Sequence, residues 1–195
     1  MTLTSKELNL PVIGEADASP EVAKLYARFR EAFGRPTVPG ILQCFATHPP
    51  LLEHMLGLAE SMLFTDGALG RANKEMIATF VSARNNCEYC ADSHGYSLRT
   101  NGGSAEMLAA AMKCDVHSKS IDPGQASLLA FVERVTDASQ SIGPEDVSTL
   151  RAVGWSDLQI AEAIHMTALF ACFNRVVNAF GLPSQNMLGK TGEML

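Results

Sequence analysis

The chain has 195 residues, 47% of them apolar and 18% charged, and a formal net charge of -6. That balance fits one globular domain with a sizeable core, and it excludes a disordered chain and the clustered Lys/Arg surface of a general nucleic-acid binder. Five cysteines, odd in number and unevenly spaced, exclude a secreted disulfide scaffold.

The opening MTLTSKELNL lacks the basic and apolar regions of a signal peptide. The longest strongly apolar run, around AIHMTALFACF, is far short of a bilayer span. The expectation is a cytoplasmic protein that engages neither membrane nor nucleic acid.

Residues 1–18, with Pro11, Gly14 and little periodicity, read as an N-terminal arm. Ser19 caps a helix that has Pro20 at its first position and runs to about Phe33. A short helix covers Pro39 to Ala46. Pro49-Pro50 opens another, whose core face is Leu52, Met55, Leu58, Ala59 and Met62, ended by Asp66-Gly67. The next spans about Leu69 to Arg84 and carries Met76, Ile77, Phe80 and Val81 inward.

Asn85-Asn86 breaks the chain, with Asn86 as candidate cap of a helix from Cys87 to about Thr100. Asn101-Gly102-Gly103 stops it and Ser104 caps the one after. Later helices start at Asp122-Pro123-Gly124, at Gly143-Pro144 and at Ser156, the last closing at Gly181-Leu182-Pro183. No segment alternates as a strand would, so the fold class is all-α. A weak internal echo links KEMIATFVSARN near 74 with LQIAEAIHMTAL near 158, as in two similar helical hairpins. The domain expectation is a single helical domain over 1–195, with a redox-motif hairpin at 70–101.

The chemistry concentrates in NNCEYCADSH. Cys87, Cys90 and His94 share one helix face, so two thiols and an imidazole cluster. Cysteine chemistry needs a thiolate, which a helix N-terminus or a neighbouring histidine stabilises. The first argument favours Cys87 and the second Cys90, and local physics leaves the choice open. Glu75, one helix upstream, returns beside the thiols if the two helices form a hairpin, and a carboxylate there can orient the histidine and pass protons.

Other readings compete. The cluster can be a core coincidence, since cysteine is often buried as a small hydrophobe. Cys87, Cys90, His94 and Glu75 are ligand types zinc accepts, although all but one come from a single helix. A thioredoxin-like domain needs strands that this chain lacks. Glu75 can equally be a solvated acid paired with Lys74 or Arg71. His48, His54 and His117 read as bland turn or surface residues, and His165 as a hydrogen-bonded core histidine. Cys44, Cys114 and Cys172 have no partner at motif spacing.

The run KEMIATFVSARNNCEYCADSHGYSL resembles the signature of alkylhydroperoxidase D-like proteins, within the carboxymuconolactone decarboxylase superfamily. It is most similar to their peroxidase-related branch, and FNRVVNAFGLP is also like that branch, so the resemblance covers most of the chain. It implies an all-helical protein, a trimer or hexamer of identical subunits, that reduces organic hydroperoxides by a dithiol–disulfide cycle. By position it makes Cys90 the cysteine that attacks peroxide and Cys87 the one that resolves it, with His94 and Glu75 as the proton relay. An external dithiol or lipoyl-type reductant would restore the pair, and the scheme requires neither metal nor flavin. One departure is Tyr89, which stands where the namesake has a second histidine and is a possible auxiliary residue. Phe80, Met76 and Tyr89 are candidates to line a hydroperoxide pocket. The alternatives are a disulfide-reductase partner or redox-sensing oligomer without peroxidase turnover, and a carboxymuconolactone decarboxylase-like enzyme.

Overall fold

The structure, a computed structural model, describes residues 8–190; the first seven residues of the expected arm lie outside them. All regular structure among the described residues is helical, in ten α-helices and two 3-10 turns. The chain's contacts cluster into two units. One runs to Ser61 and takes in Arg175–Leu182. The other comprises Met62–Asn174 and resumes at Pro183.

In the first unit, α1 (Pro20–Phe33) starts as its sequence dictates. Pro20 occupies the first turn, and Ser19 Oγ accepts the Val22 amide at 3.3 Å. Val22, Tyr26 and Phe29 form its buried stripe. The Tyr26 hydroxyl donates to the Ile13 carbonyl at 2.6 Å, and the Asn9 amide donates to Phe180 O at 2.9 Å. The described part of the arm is thus held by specific hydrogen bonds. α2 (Gly40–Phe45) and α3 (Pro49–Met62) complete the unit's helices, and α3 stops four residues before the expected Asp66. Cys44 on α2 is buried, and burial pushes its thiol up to about 12. A thiol so rarely ionised is a packing residue.

The second unit contains α4 (Arg71–Arg84), α5 (Glu88–Thr100), α6 (Ala105–Lys113), α7 (Pro123–Ala138), α8 (Pro144–Ala152) and most of α9 (Asp157–Phe180). The periodicity of α4 predicts one inward face. Instead every residue from Lys74 to Ser82 is buried, because α5, α6 and α7 all pack against this helix. A helix buried on all sides must find a partner for each polar group it carries. Thr79 and Ser82 bond back to the carbonyls of Glu75 and Ala78 at 2.8 and 2.6 Å. Lys74 Nζ donates to the carbonyls of Met62 and Thr65, both at 2.8 Å, and lies 3.7 Å from Glu162 on α9. Glu162 in turn accepts the amides of Ala68 and Leu69 at 2.9 Å each. These two side chains brace the turn that delivers α4.

Two expectations need correction. α9 has 24 residues, long and apolar enough by length and composition to cross a bilayer, rather than far too short. Half of its most apolar window is buried inside the protein, the pattern of a core helix. His165 on that helix is exposed, because it falls on the face opposite Ala163, Met166 and Phe170. A short tenth helix, α10 (Met187–Lys190), escaped the sequence reading, being a single turn with no periodic pattern to detect.

Glu162 yields a stability prediction. Burial alone would raise its pKa, but the Ala68 and Leu69 amides and Lys74 outweigh it and hold the carboxyl below its usual range. A depressed carboxyl contributes stability above the unfolded carboxylate pKa, and that stability is lost as pH falls through the folded value. Glu162→Gln presents an NH2 group to one of the two amides. It should lower unfolding free energy by roughly 1–3 kcal/mol at neutral pH. Urea titrations should show the deficit shrinking as pH falls through the folded Glu162 value; a deficit independent of pH would contradict the assignment.

Candidate active site

The turn between α4 and α5 places the thiols. Asn85 ends α4, and Asn86 adopts the left-handed region (φ 52°), which asparagine tolerates better than most residues. The Cys87 amide then closes back on the Ser82 carbonyl at 2.8 Å, the hydrogen-bond pattern of a Schellman ending. Cys87 is therefore itself the N-cap residue of α5, one position beyond the expected cap Asn86. At the far end the Gly103 amide bonds to Leu98 O at 2.9 Å, and a Cβ on Gly103 would stand 2.8 Å from that same oxygen. Only glycine allows the chain to turn there.

Cys87, Cys90 and His94 follow at helical spacing on α5, as expected. Both cysteines are buried, and both are thiols rather than a disulfide. Glu75 is fully buried on α4. Its Oε2 lies 2.7 Å from His94 Nδ1, and its Oε1 accepts from Arg71 Nε and Nη2 at 2.7 and 2.6 Å. The surface-acid reading of Glu75 correctly named Arg71 as a partner but missed the burial. Burial by itself would raise the Glu75 pKa. The charges and hydrogen bonds of His94 and Arg71 prevail and hold it below the ordinary carboxylate range. An ionised carboxylate only accepts, so His94 Nδ1 carries its proton and donates it to Glu75. Nε2 is left as the imidazole's accepting atom.

Two aromatic rings flank this hydrogen-bonded trio. The Arg71 guanidinium sits 4.8 Å from the centre of the Phe64 ring. The His94 ring meets Phe170 of α9 edge-on, with centroids 4.6 Å apart. Arg71 and Phe170 were missed as site residues. Arg71 carried a signal in its i, i+4 spacing to Glu75, whereas Phe170 is about 75 positions along the chain and carried none.

A buried polar network lies at the other end of the cluster. Asn174 of α9 is fully buried; its Nδ2 donates to Ser82 Oγ at 2.9 Å, and its Oδ1 accepts from Asn85 Nδ2 at 3.0 Å. Hydrogen bonding from the Cys90 thiol, opposed by burial and aided by the Cys90 amide and Asn174, draws the Cys87 thiol below its ordinary value.

Tyr89, between the cysteines, is buried, and its hydroxyl accepts from Gln185 Nε2 at 2.8 Å. Asp92, one turn on, accepts the Met187 and Leu188 amides at 2.8 and 2.9 Å, capping α10. The tail is thus docked on the thiol helix. Phe80 and Met76 are fully buried core residues, so of the three candidate pocket-lining residues these two serve packing. Among the described residues, no three His, Cys, Asp or Glu side chains are grouped so as to hold a metal ion.

Comparison with known proteins agrees with this architecture. Residues 49–116, which include Glu75, both cysteines and His94, match the profile of the carboxymuconolactone decarboxylase family. No curated protein matches the chain. Among solved structures, the chain is similar to an uncharacterized peroxidase-related protein from Silicibacter sp. TM1040, at 27% identity over 97% of this chain and 98% of that one, with a TM-score of 0.81. It shares the fold of an uncharacterized peroxidase-related protein with an alkylhydroperoxidase AhpD core from Ralstonia eutropha JMP134, at 24% identity over 92% and 93% of the two chains and a TM-score of 0.81. It also shares the fold of a cysteine-to-alanine variant of the debrominase Bmp8 in complex with 2,3,4-tribromopyrrole, at 16% identity over the whole of both chains and a TM-score of 0.74. Residues 49–116 thus carry the carboxymuconolactone decarboxylase family pattern, on a fold shared with peroxidase-related proteins.

Proposed function

We propose that the protein reduces hydroperoxides, organic ones above all, through a dithiol–disulfide cycle at Cys90 and Cys87. The observation that carries this reading is the 2.7 Å hydrogen bond between buried Glu75 and His94, on the helix that also bears both thiols. An ionised Glu75 orients the imidazole by accepting from Nδ1, which leaves Nε2 as the atom that takes a proton. That supplies the base a thiol needs to attack at neutral pH.

In the proposed cycle His94 takes the Cys90 thiol proton. The Cys90 thiolate attacks the terminal peroxide oxygen, the O–O bond breaks, and the departing alkoxide takes the proton from His94. Cys90 is now a sulfenic acid and an alcohol has left. Cys87, as thiolate, attacks the Cys90 sulfur. Hydroxide departs, is protonated to water, and the disulfide forms. An external dithiol, of lipoyl type in the resemblance, reduces the disulfide by exchange and becomes oxidised in its place. The net change converts one hydroperoxide and one dithiol to an alcohol, water and a disulfide. No metal or flavin enters. Trimeric or hexameric assembly is part of the same proposal.

A second reading is reductive dehalogenation, favoured by the end-to-end fold match to the debrominase. Two thiols can supply the same two electrons to a carbon–halogen bond, giving C–H, halide, a proton and the disulfide. One assay separates the readings: reduced protein with an organic hydroperoxide or with a brominated pyrrole, with dihydrolipoamide as reductant. Consumption of hydroperoxide supports the first. Bromide release with no peroxide turnover would replace it, and a decarboxylated product without thiol oxidation would return the site to the decarboxylase side of the superfamily.

Two variants test the assigned roles. Cys87→Ser should let a sulfenic acid accumulate at Cys90, visible by dimedone trapping and mass spectrometry, whereas Cys90→Ser should yield none. A sulfenate trapped at Cys87 of the Cys90→Ser protein, with normal peroxide consumption, would reverse the order.

Glu75→Gln keeps the shape and removes the anion. The peroxide step should slow by about 100-fold, at the lower end of what a positioned acid–base group contributes, while circular dichroism stays native. Undiminished turnover in that variant would remove Glu75 from the relay.

A further inference from the structure

Arg71 meets Glu75 through a geometry that lysine could not reproduce. Its Nε and Nη2 converge on one carboxylate oxygen, Oε1, at 2.7 and 2.6 Å. The other oxygen, Oε2, is left to His94 Nδ1 at 2.7 Å. The guanidinium lies over the Phe64 ring, 4.8 Å from its centre, so its face packs while its edge holds the carboxylate. Lys74, next to Glu75 in the chain, does not compete for this place, because its Nζ is bound to the Met62 and Thr65 carbonyls.

We propose that Arg71 is a positioning residue of the relay: its fixed charge lets the buried Glu75–His94 pair stand with one proton, on Nδ1, and so leaves Nε2 free to act as base. This rests on the dithiol reading above, in which His94 is the base. It goes beyond that reading by assigning the group that keeps the base empty at rest.

The case is a count of charges in a buried place. A Glu75–His94 pair with a single proton is an anion, which burial penalises. Left alone, the pair escapes by keeping a second proton, either as carboxylate and imidazolium or as carboxylic acid and imidazole. In both forms Nε2 carries a proton and is no base. Arg71 changes the count, since a guanidinium does not release its proton. The one-proton state is then neutral overall and the two-proton state is a net cation. When His94 takes the Cys90 proton, the new thiolate balances the charge gained. Arg71 is suited to this place by its own exposure: its side chain is 21% exposed and that of Glu75 not at all, so the cation keeps some water and the anion none.

The charged surroundings are few. From α5, His94 meets the carboxylate, and α9 offers His94 the ring of Phe170. Helices α6 and α7 also pack on α4, and among the described residues neither sends a charged side chain into an ion pair with Glu75. Burial opposes ionisation of Glu75, yet His94 and Arg71 hold its carboxyl below the usual range, in agreement with the geometry.

The test follows the proton on His94. Reduced protein carries 15N-labelled histidine, the His94 signals are those lost in His94→Gln, and protonation of each ring nitrogen is followed by NMR as pH is raised. In the unmodified protein Nε2 should lose its proton while Nδ1 keeps its own. Arg71→Met keeps a packing stem and removes the charge. In that variant, baring Nε2 should need a proton concentration lower by about tenfold or more. Its peroxide step should slow at neutral pH and recover as pH rises, which a packing defect would not produce.

Superposed Nε2 curves for the two proteins would overturn the proposal. So would loss of the Nδ1 proton first in the unmodified protein, a result that stands even if Arg71→Met does not fold. Either result leaves peroxide reduction intact. A shifted Nε2 curve in a protein inert to hydroperoxides would refute that activity while sustaining the role of Arg71.

Discussion

A carboxylate sealed inside α4 is the constraint on which this site depends. Glu75 has no exposure, and an unpaired anion there would cost several kcal/mol. The fold answers with two donors on opposite oxygens, Arg71 one helical turn back and His94 on the adjacent helix. Arg71 lies on the same element and could be satisfied anywhere along a solvated helix. His94 could not. Its partnership ties the register of α5 against α4, and with it the position of two cysteines. The geometry of the candidate site and the solution to a burial problem are one arrangement.

The remaining polar groups of α4 obey the same necessity by cheaper means. Thr79 and Ser82 return their hydroxyl protons to the helix, and Lys74 caps carbonyls in the preceding turn while Glu162 gathers that turn's amides. Ser82 is used three ways: its hydroxyl donates to one carbonyl and accepts one amide, and its own carbonyl receives the Cys87 N–H. Small residues with several hydrogen-bonding capacities suit an interior that offers little room.

Much of this was legible in sequence because it is local. Helix starts at Ser19-Pro20 and Ser104, the stop at Gly102-Gly103, and the spacing of Cys87, Cys90 and His94 each depend on interactions within a few residues. The Glu75–His94 contact was accessible because only a short turn separates their helices. What escaped depends on distant segments. Phe170 and Asn174 meet the cluster from α9, and neither residue type at its position betrays that. The burial of α4 on every side was hidden for the same reason: a single sequence shows one helix's pattern and not the number of neighbours around it. His165 misled through its apolar surroundings in the chain, which lie on the opposite face in space.

The docking of α10 carries a practical consequence. Gln185 and the amides of Met187 and Leu188 are fastened to Tyr89 and Asp92, side chains of the same short stretch of α5 that bears Cys90. A purification handle or reporter fused after α10 would pull on those three hydrogen bonds whenever it was crowded, immobilised on a resin or stretched toward a partner. The strain would arrive within one helical turn of the Cys90 sulfur. A handle at the other terminus exerts no such leverage through α10, and a sensor built deliberately on the C-terminal side would have its mechanical input already wired to the dithiol.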